Sequence, residues 1–155
     1  MNDLLQSLSE HPDVSVSIAI GIEHWKTGLT TLIVRGDGDV KVLNQRAGKE
    51  TVFTGHLSSQ SVQEFGAALV QADFSALPPS AQTNRTPGDM PVFLKLQQGE
   101  TTQLDQRVWH GDRYKDKKVN AIIMQFENLV AEVANTELAY GSPQKKQRRF
   151  WRRGR

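Results

Sequence analysis

Between Val14 and Ile22 the chain alternates without a break. Val14, Val16, Ile18, Ile20 and Ile22 fall on one side, and Ser15, Ser17, Ala19, Gly21 and Glu23 on the other. A period of two is the repeat of a β-strand, whose successive side chains point to opposite faces; a helix would scatter these aliphatic residues around its circumference. The segment therefore demands a sheet with one buried aliphatic face and one face of small polar residues.

The flanking sequence supplies partners for that strand. His24 to Gly28 turns the chain, and Leu29 to Val34 reads as a second strand. Gly36-Asp37-Gly38-Asp39 is a turn, because Gly and Asp reach positive φ at low cost. Val40 to Asn44 returns as a third strand, and a turn at Arg46 to Glu50 leads into a fourth at Thr51 to Gly55. At Ser58 the period changes: Val62, Phe65, Leu69 and Ala72 share one helical face, with Ser58 as the N-cap and an end near Phe74. Residues 75–91 are rich in Pro, Ser and Thr and read as a long loop. Val92, Leu94 and Leu96 then alternate, as do Thr102, Leu104, Gln106 and Val108, giving a second hairpin around Gly99. Asp116 caps a last helix with Val119, Ile122, Ile123, Phe126, Leu129, Val130 and Val133 on its apolar face. Leu4, Leu5 and Leu8 fit a short helix before Pro12.

Strands in runs, followed by helices, predict an α+β fold of order ββββαββα. It is an antiparallel sheet of about six strands with two helices on one face, the other face being left to solvent or a partner. Residues 1–142 are expected to form one such domain, and 143–155 a basic, disordered tail. A strict alternation places Ser15, Ser17, Lys95, Gln103, Asp105, Arg107 and Trp109 on the outward face.

Charge is segregated along the chain. Seven of the 19 Lys and Arg residues lie in the stretch from Gln144 to Arg155, which contains no Asp or Glu. The remaining 12 basic residues face 17 acidic ones, so the body carries −5 and the tail +7. A block of like charges repels itself and is either solvated or bound to something anionic. With no Cys in the chain, disulfides, thiolate metal sites and cysteine nucleophiles are excluded. The N-terminus lacks a cationic start and a continuous apolar run, and no window has the length of a membrane span, so the sequence reads as a soluble, cytoplasmic protein.

Three segments together resemble a broad group of small uncharacterised bacterial α+β domains of meander–helix–hairpin–helix layout: LTTLIVRGDGDVKV, FTGHLSSQSVQEFGAALVQADFSALP, and PVFLKLQQGETTQLDQRVWHGDRYKDKKVNAIIMQFENLV. The resemblance spans most of residues 14–133 and rests on a turn, a cap and a helix end. It implies a fold and no chemistry, and the tail lies outside it.

Catalytic and metal signatures are weak. His11, His24, His56 and His110 make no metal-ligand spacing. Asp37-Gly38-Asp39 looks like a fragment of a calcium loop, but Lys41 and Gly48 occupy positions where such a loop needs ligands, which leaves a hairpin turn. No phosphate-cradling Gly-rich loop or serine elbow is present, and no cofactor or small-molecule substrate is indicated. The densest cluster of chemically able residues is Trp109, His110, Asp112, Arg113 and Tyr114, with Asp105 and Arg107 just before it. Trp, Tyr and Arg are the residues enriched at interface hot spots, so the cluster reads first as a partner-binding surface. In the tail, Lys145, Lys146, Arg148, Arg149, Arg152, Arg153 and Arg155 flank Phe150 and Trp151, a composition that grips phosphates and stacks on unpaired bases.

Three functions follow, in this order. The first is a non-enzymatic protein-binding module, of the immunity or inhibitor type, that caps a partner with the open sheet face and the loops 75–91 and 110–116. The second is a nucleic-acid-associated protein held by its tail. The third is a small enzyme with a site near His110. A membrane surface ranks below these partners.

Overall fold

The alternating segment forms β1 (Val14–Gly21), paired on both sides: with β2 (Leu29–Arg35) through the first hairpin, and with β5 (Pro91–Gln98), seventy residues away in sequence. The meander continues through β3 (Asp39–Arg46) and β4 (Lys49–His56), and β6 (Thr101–Trp109) closes the other edge. The protein is thus an α+β fold with a six-stranded sheet of order β4-β3-β2-β1-β5-β6, antiparallel throughout. The computed structural model describes residues 2–24, 26–77 and 89–139. Most of the expected 75–91 loop and the whole 143–155 tail lie outside the described residues.

β4 and β5 run in the same direction, so the chain must traverse the sheet between them. It does so with α2 (Ser59–Gln71). The Ser58 hydroxyl accepts the Ser61 N–H at 3.1 Å and caps the helix start, as its sequence position requires. The other end is a Schellman motif: Phe74 N–H reaches the Leu69 carbonyl and Asp73 N–H the Val70 carbonyl, both at 3.0 Å. Asp73 takes the left-handed position with φ 54°, and Phe74 is driven fully into the core, the apolar contact that accompanies this motif. The expected helix end near Phe74 is this cap. Asp73 also pairs with Lys118, which fastens the end of α2 to the start of α3 (Lys117–Ala139). The Asp116 carboxylate caps α3 by accepting the Lys118 N–H at 2.9 Å.

All helical segments lie on one face. Val16, Ile18, Leu32, Val34, Leu94 and Leu96 from the strands meet Val62, Phe65, Leu69, Ile122, Ile123 and Phe126 from the helices in one buried cluster. The N-terminal helix α1 (Asn2–Gln6) and the 3-10 turn Leu8–Glu10 add Leu5 and Leu8, both fully buried. Gly66 allows this: a Cβ there would sit 2.1 Å from the Leu5 carbonyl oxygen.

One register differs from strict alternation. A β-bulge between Leu96 and Gln97 pairs Leu96 with Leu104 but Gln97 with Thr102. Thr102 therefore joins the outward side near the hairpin and is exposed, contrary to its expected place with Leu104. An extra residue in one strand shifts side-chain parity from that point onward.

Candidate functional site

Among the described residues, none covers the side of the sheet opposite the helices. Registers across five strand pairs fix its rows. One runs Thr54, Lys41, Ile33, Ser17, Lys95, Asp105 from β4 to β6, and the next Val52, Leu43, Thr31, Ala19, Phe93, Arg107. The second row is largely apolar, and two of its apolar members are well exposed, Val52 at 45% and Phe93 at 41%. The first borders a groove of about 960 Å³ whose lining includes Ser15, Ser17, Ile33, Arg35, Asp37, Asp39, Lys41, Thr54, His56, Lys95 and Gln97.

The charges in this groove are unevenly matched. Arg35 pairs with Asp37 at 3.5 Å, and His56 with Asp39 at 3.2 Å. Asp37 also accepts the Asp39 N–H at 3.0 Å, so the Asp-Gly-Asp motif is spent on its own turn. Lys41 and Lys95 make no ion pair within the described residues, although Asp105 stands opposite Lys95 in register.

The sequence-predicted contact set divides between two places. Asp105, Arg107 and Trp109 project from β6 onto the open face, and the Arg107 guanidinium lies over the Trp109 ring, 5.0 Å from its centroid. Such a cation–π contact holds both side chains against the sheet. His110 to Tyr114 forms a 3-10 turn that joins β6 to α3. There Arg113 binds Glu127 through two bonds of 2.9 and 3.1 Å, and its Nε donates to Asn120 at 2.8 Å. Asp112 is buried, and Tyr114 is 80% exposed. The Gly111 N–H donates to Asp89 at 2.9 Å. Arg113 thus locks the turn onto α3, and only Tyr114 of this segment stands clear of the body. The tail residues from Lys145 to Arg155 lie outside the described residues.

His110 contacts Arg113 at 3.4 Å and borders a pocket of about 220 Å³ with Thr27, Thr30, Met90, Phe126 and Glu127. Burial, then the neighbouring guanidinium, pushes the imidazole below its ordinary range, with Glu127 and Asp89 opposing. The hydrogen bond from Arg113 holds the Glu127 carboxyl below the usual carboxylate range. The arrangement is an imidazole whose charged form is disfavoured, beside a satisfied guanidinium–carboxylate pair. Among the described residues no three His, Asp or Glu gather as a metal site, and no helix is long and apolar enough to cross a membrane.

Sequence reasoning missed Asn120 and Glu127 as partners of Arg113. Their seven-residue spacing, two helical turns on one stripe, was the available signal. It also missed the groove, because Lys41 and Lys95 come from strands far apart in sequence. No family model matches the chain, and no curated protein matches it.

Proposed function

We propose that this chain is a non-enzymatic protein-binding module, of the immunity or inhibitor kind, which caps a partner with the uncovered face of its sheet. The observation that supports this is the face itself: Phe93 and Val52 exposed in a largely apolar row, beside a groove whose two lysines find no counter-charge among the described residues. Aromatic and aliphatic groups ringed by polar ones are the makeup of a docking surface. The partner surface is acidic, because the cations of the face are incompletely neutralised while the body as a whole carries −5. A basic partner is the alternative that net charge alone favours, and the distribution of the charge argues against it.

Site-specific crosslinking tests the reading. A photoreactive p-benzoylphenylalanine replaces Phe93, Val52 or, as control, the exposed Met124 on α3. The proposal expects a nuclease-resistant protein adduct from the first two positions and none from the third, with its yield lowered by Lys41→Glu. Adducts from Met124 alone, or none at all from the open face, would sink it. The second reading, nucleic acid held by the tail from Lys145 to Arg155, draws on the +7 charge there. It expects association that disappears with nuclease or with deletion of residues 143–155.

A further inference from the structure

Lys95, Ser17, Ile33 and Lys41 occupy one cross-strand row on β5, β1, β2 and β3. Three strand spacings separate the two lysine backbones, about 14 Å at about 4.8 Å per spacing. An extended peptide rises about 3.3 Å per residue and shows every second side chain to the same side. Residues i and i+4 of such a peptide therefore sit about 13 Å apart and face the same way, with i+2 midway between them. Laid across the strands, the chain brings i and i+4 over Lys95 and Lys41, and i+2 over Ser17 and Ile33.

The remaining charges narrow the choice. Arg35 is paired with Asp37, and the His56 ring is held by Asp39 at 3.2 Å, so an anionic ligand at that end of the groove meets groups that already have carboxylate partners. Of the cations that line the groove, Lys41 and Lys95 are the two that make no ion pair with a described residue, and they bracket Ser17 and Ile33 in the row. Ile33 and the Ser17 hydroxyl between them offer an apolar floor and a small polar wall.

From this we infer that the groove receives an extended acidic segment of the partner protein, of pattern acidic–x–aliphatic–x–acidic, lying across the strands with its carboxylates on Lys41 and Lys95. The inference rests on the docking face proposed above and adds the chemistry and spacing of what docks there.

The probes are two capped pentapeptides of equal composition and charge, Glu-Ser-Leu-Ser-Glu and Ser-Glu-Leu-Glu-Ser, titrated into the full-length 15N-labelled chain by NMR. The expected result is displacement of the Ser17, Ile33, Lys41 and Lys95 amide signals, about threefold stronger for the first peptide, whose carboxylates match the lysine spacing. In the Lys41→Glu/Lys95→Glu chain the same displacement weakens by about tenfold, through loss of two ion pairs and added repulsion. A Lys41→Gln/Lys95→Gln chain, with unchanged signal dispersion elsewhere, separates this from misfolding. Equal response to both peptides, response confined to residues 143–155, or none overturns the inference. Tighter binding of oligothymidylate to the same four signals overturns it as well, by making the face a nucleic-acid surface. The crosslinks from positions 93 and 52 are read independently: if they form while peptide spacing has no effect, the docking face stands and the acidic pattern falls.

Discussion

Gly66→Ala sets two known effects against each other. Gly66 lies inside α2, where replacing Gly by Ala normally stabilises by about 1 kcal/mol through helix propensity. Here the new methyl would meet the Leu5 carbonyl oxygen at 2.1 Å and lie 3.2 Å from the Leu8 Cβ. The obstacle is backbone, so it cannot swing away like a side-chain tip. Either α1 shifts, or the contact is borne as overpacking, which costs about 1–3 kcal/mol. If α1 detaches altogether, two fully buried leucines are lost from the core, at about 1.5–3 kcal/mol each before the released chain entropy is recovered. Detachment also breaks the Ser9 to Gln63 bond of 2.9 Å and the bond from Gln63 to the Gln6 carbonyl. Because the obstacle is backbone at 2.1 Å, the upper part of that range applies, and the net expectation after the propensity gain is destabilisation by about 1–2 kcal/mol. Urea unfolding followed by far-ultraviolet circular dichroism reads this as a lowered midpoint, with hydrogen exchange at Leu8 accelerated more than at Ile122. A midpoint equal to or above wild type would refute the close approach of α1 to α2.

Phe126→Ala removes a core ring from the middle of α3, and its denaturation midpoint should report a loss of about 3–5 kcal/mol. Acidification should destabilise the fold in two stages. His110 has its folded pKa below the ordinary 6.5, so its contribution is complete above that value and is lost as pH falls through the folded one. Glu127 lies below the ordinary 4.5, and the Arg113 pair is lost in the same way at lower pH. Midpoints measured from about pH 7 to about pH 2 should flatten in the upper stage for His110→Asn and in the lower for Glu127→Gln; profiles parallel to wild type would contradict both assignments. Deleting residues 143–155 should leave the thermal midpoint nearly unchanged while abolishing any salt-sensitive oligonucleotide binding, which fluorescence anisotropy at several salt concentrations will show.

What the sequence reveals here is what local periodicity encodes. The inward set of β1 is complete in its alternation, Ser58 and Asp116 announce their helices by position, and the apolar stripe of α3 is visible at its spacings of three and one. β5 beside β1 is harder to read, because their pairing is between segments seventy residues apart and no local signal carries it. The bulge after Leu96 was invisible for another reason: both parities of the segment from Thr101 to Gln103 are polar, so nothing in the hydrophobic pattern fixes the register. The Arg113 pair with Glu127 escaped because a charged residue on a helix is ordinarily solvated, and only the turn at His110 brings the guanidinium over α3.

Exposed aliphatic and aromatic residues on an open sheet do not by themselves demand a partner. Val52, Ile33 and Phe93 are good strand formers, and their pleated backbone favours them even where one side faces water. A sheet kept for its own sake would, however, be expected to neutralise its charges across neighbouring strands, since opposite cross-strand pairs add stability. On this face Asp39 holds His56 across β3 and β4 and Asp37 holds Arg35 at the turn, and no described carboxylate pairs with Lys41 or Lys95. Asp105 is in register to pair with Lys95 and makes no ion pair with it within the described residues. Strand propensity thus favours the apolar row whether or not a partner binds it, whereas it does not account for the two lysines, and it is their separation that gives the face a ligand-sized specification.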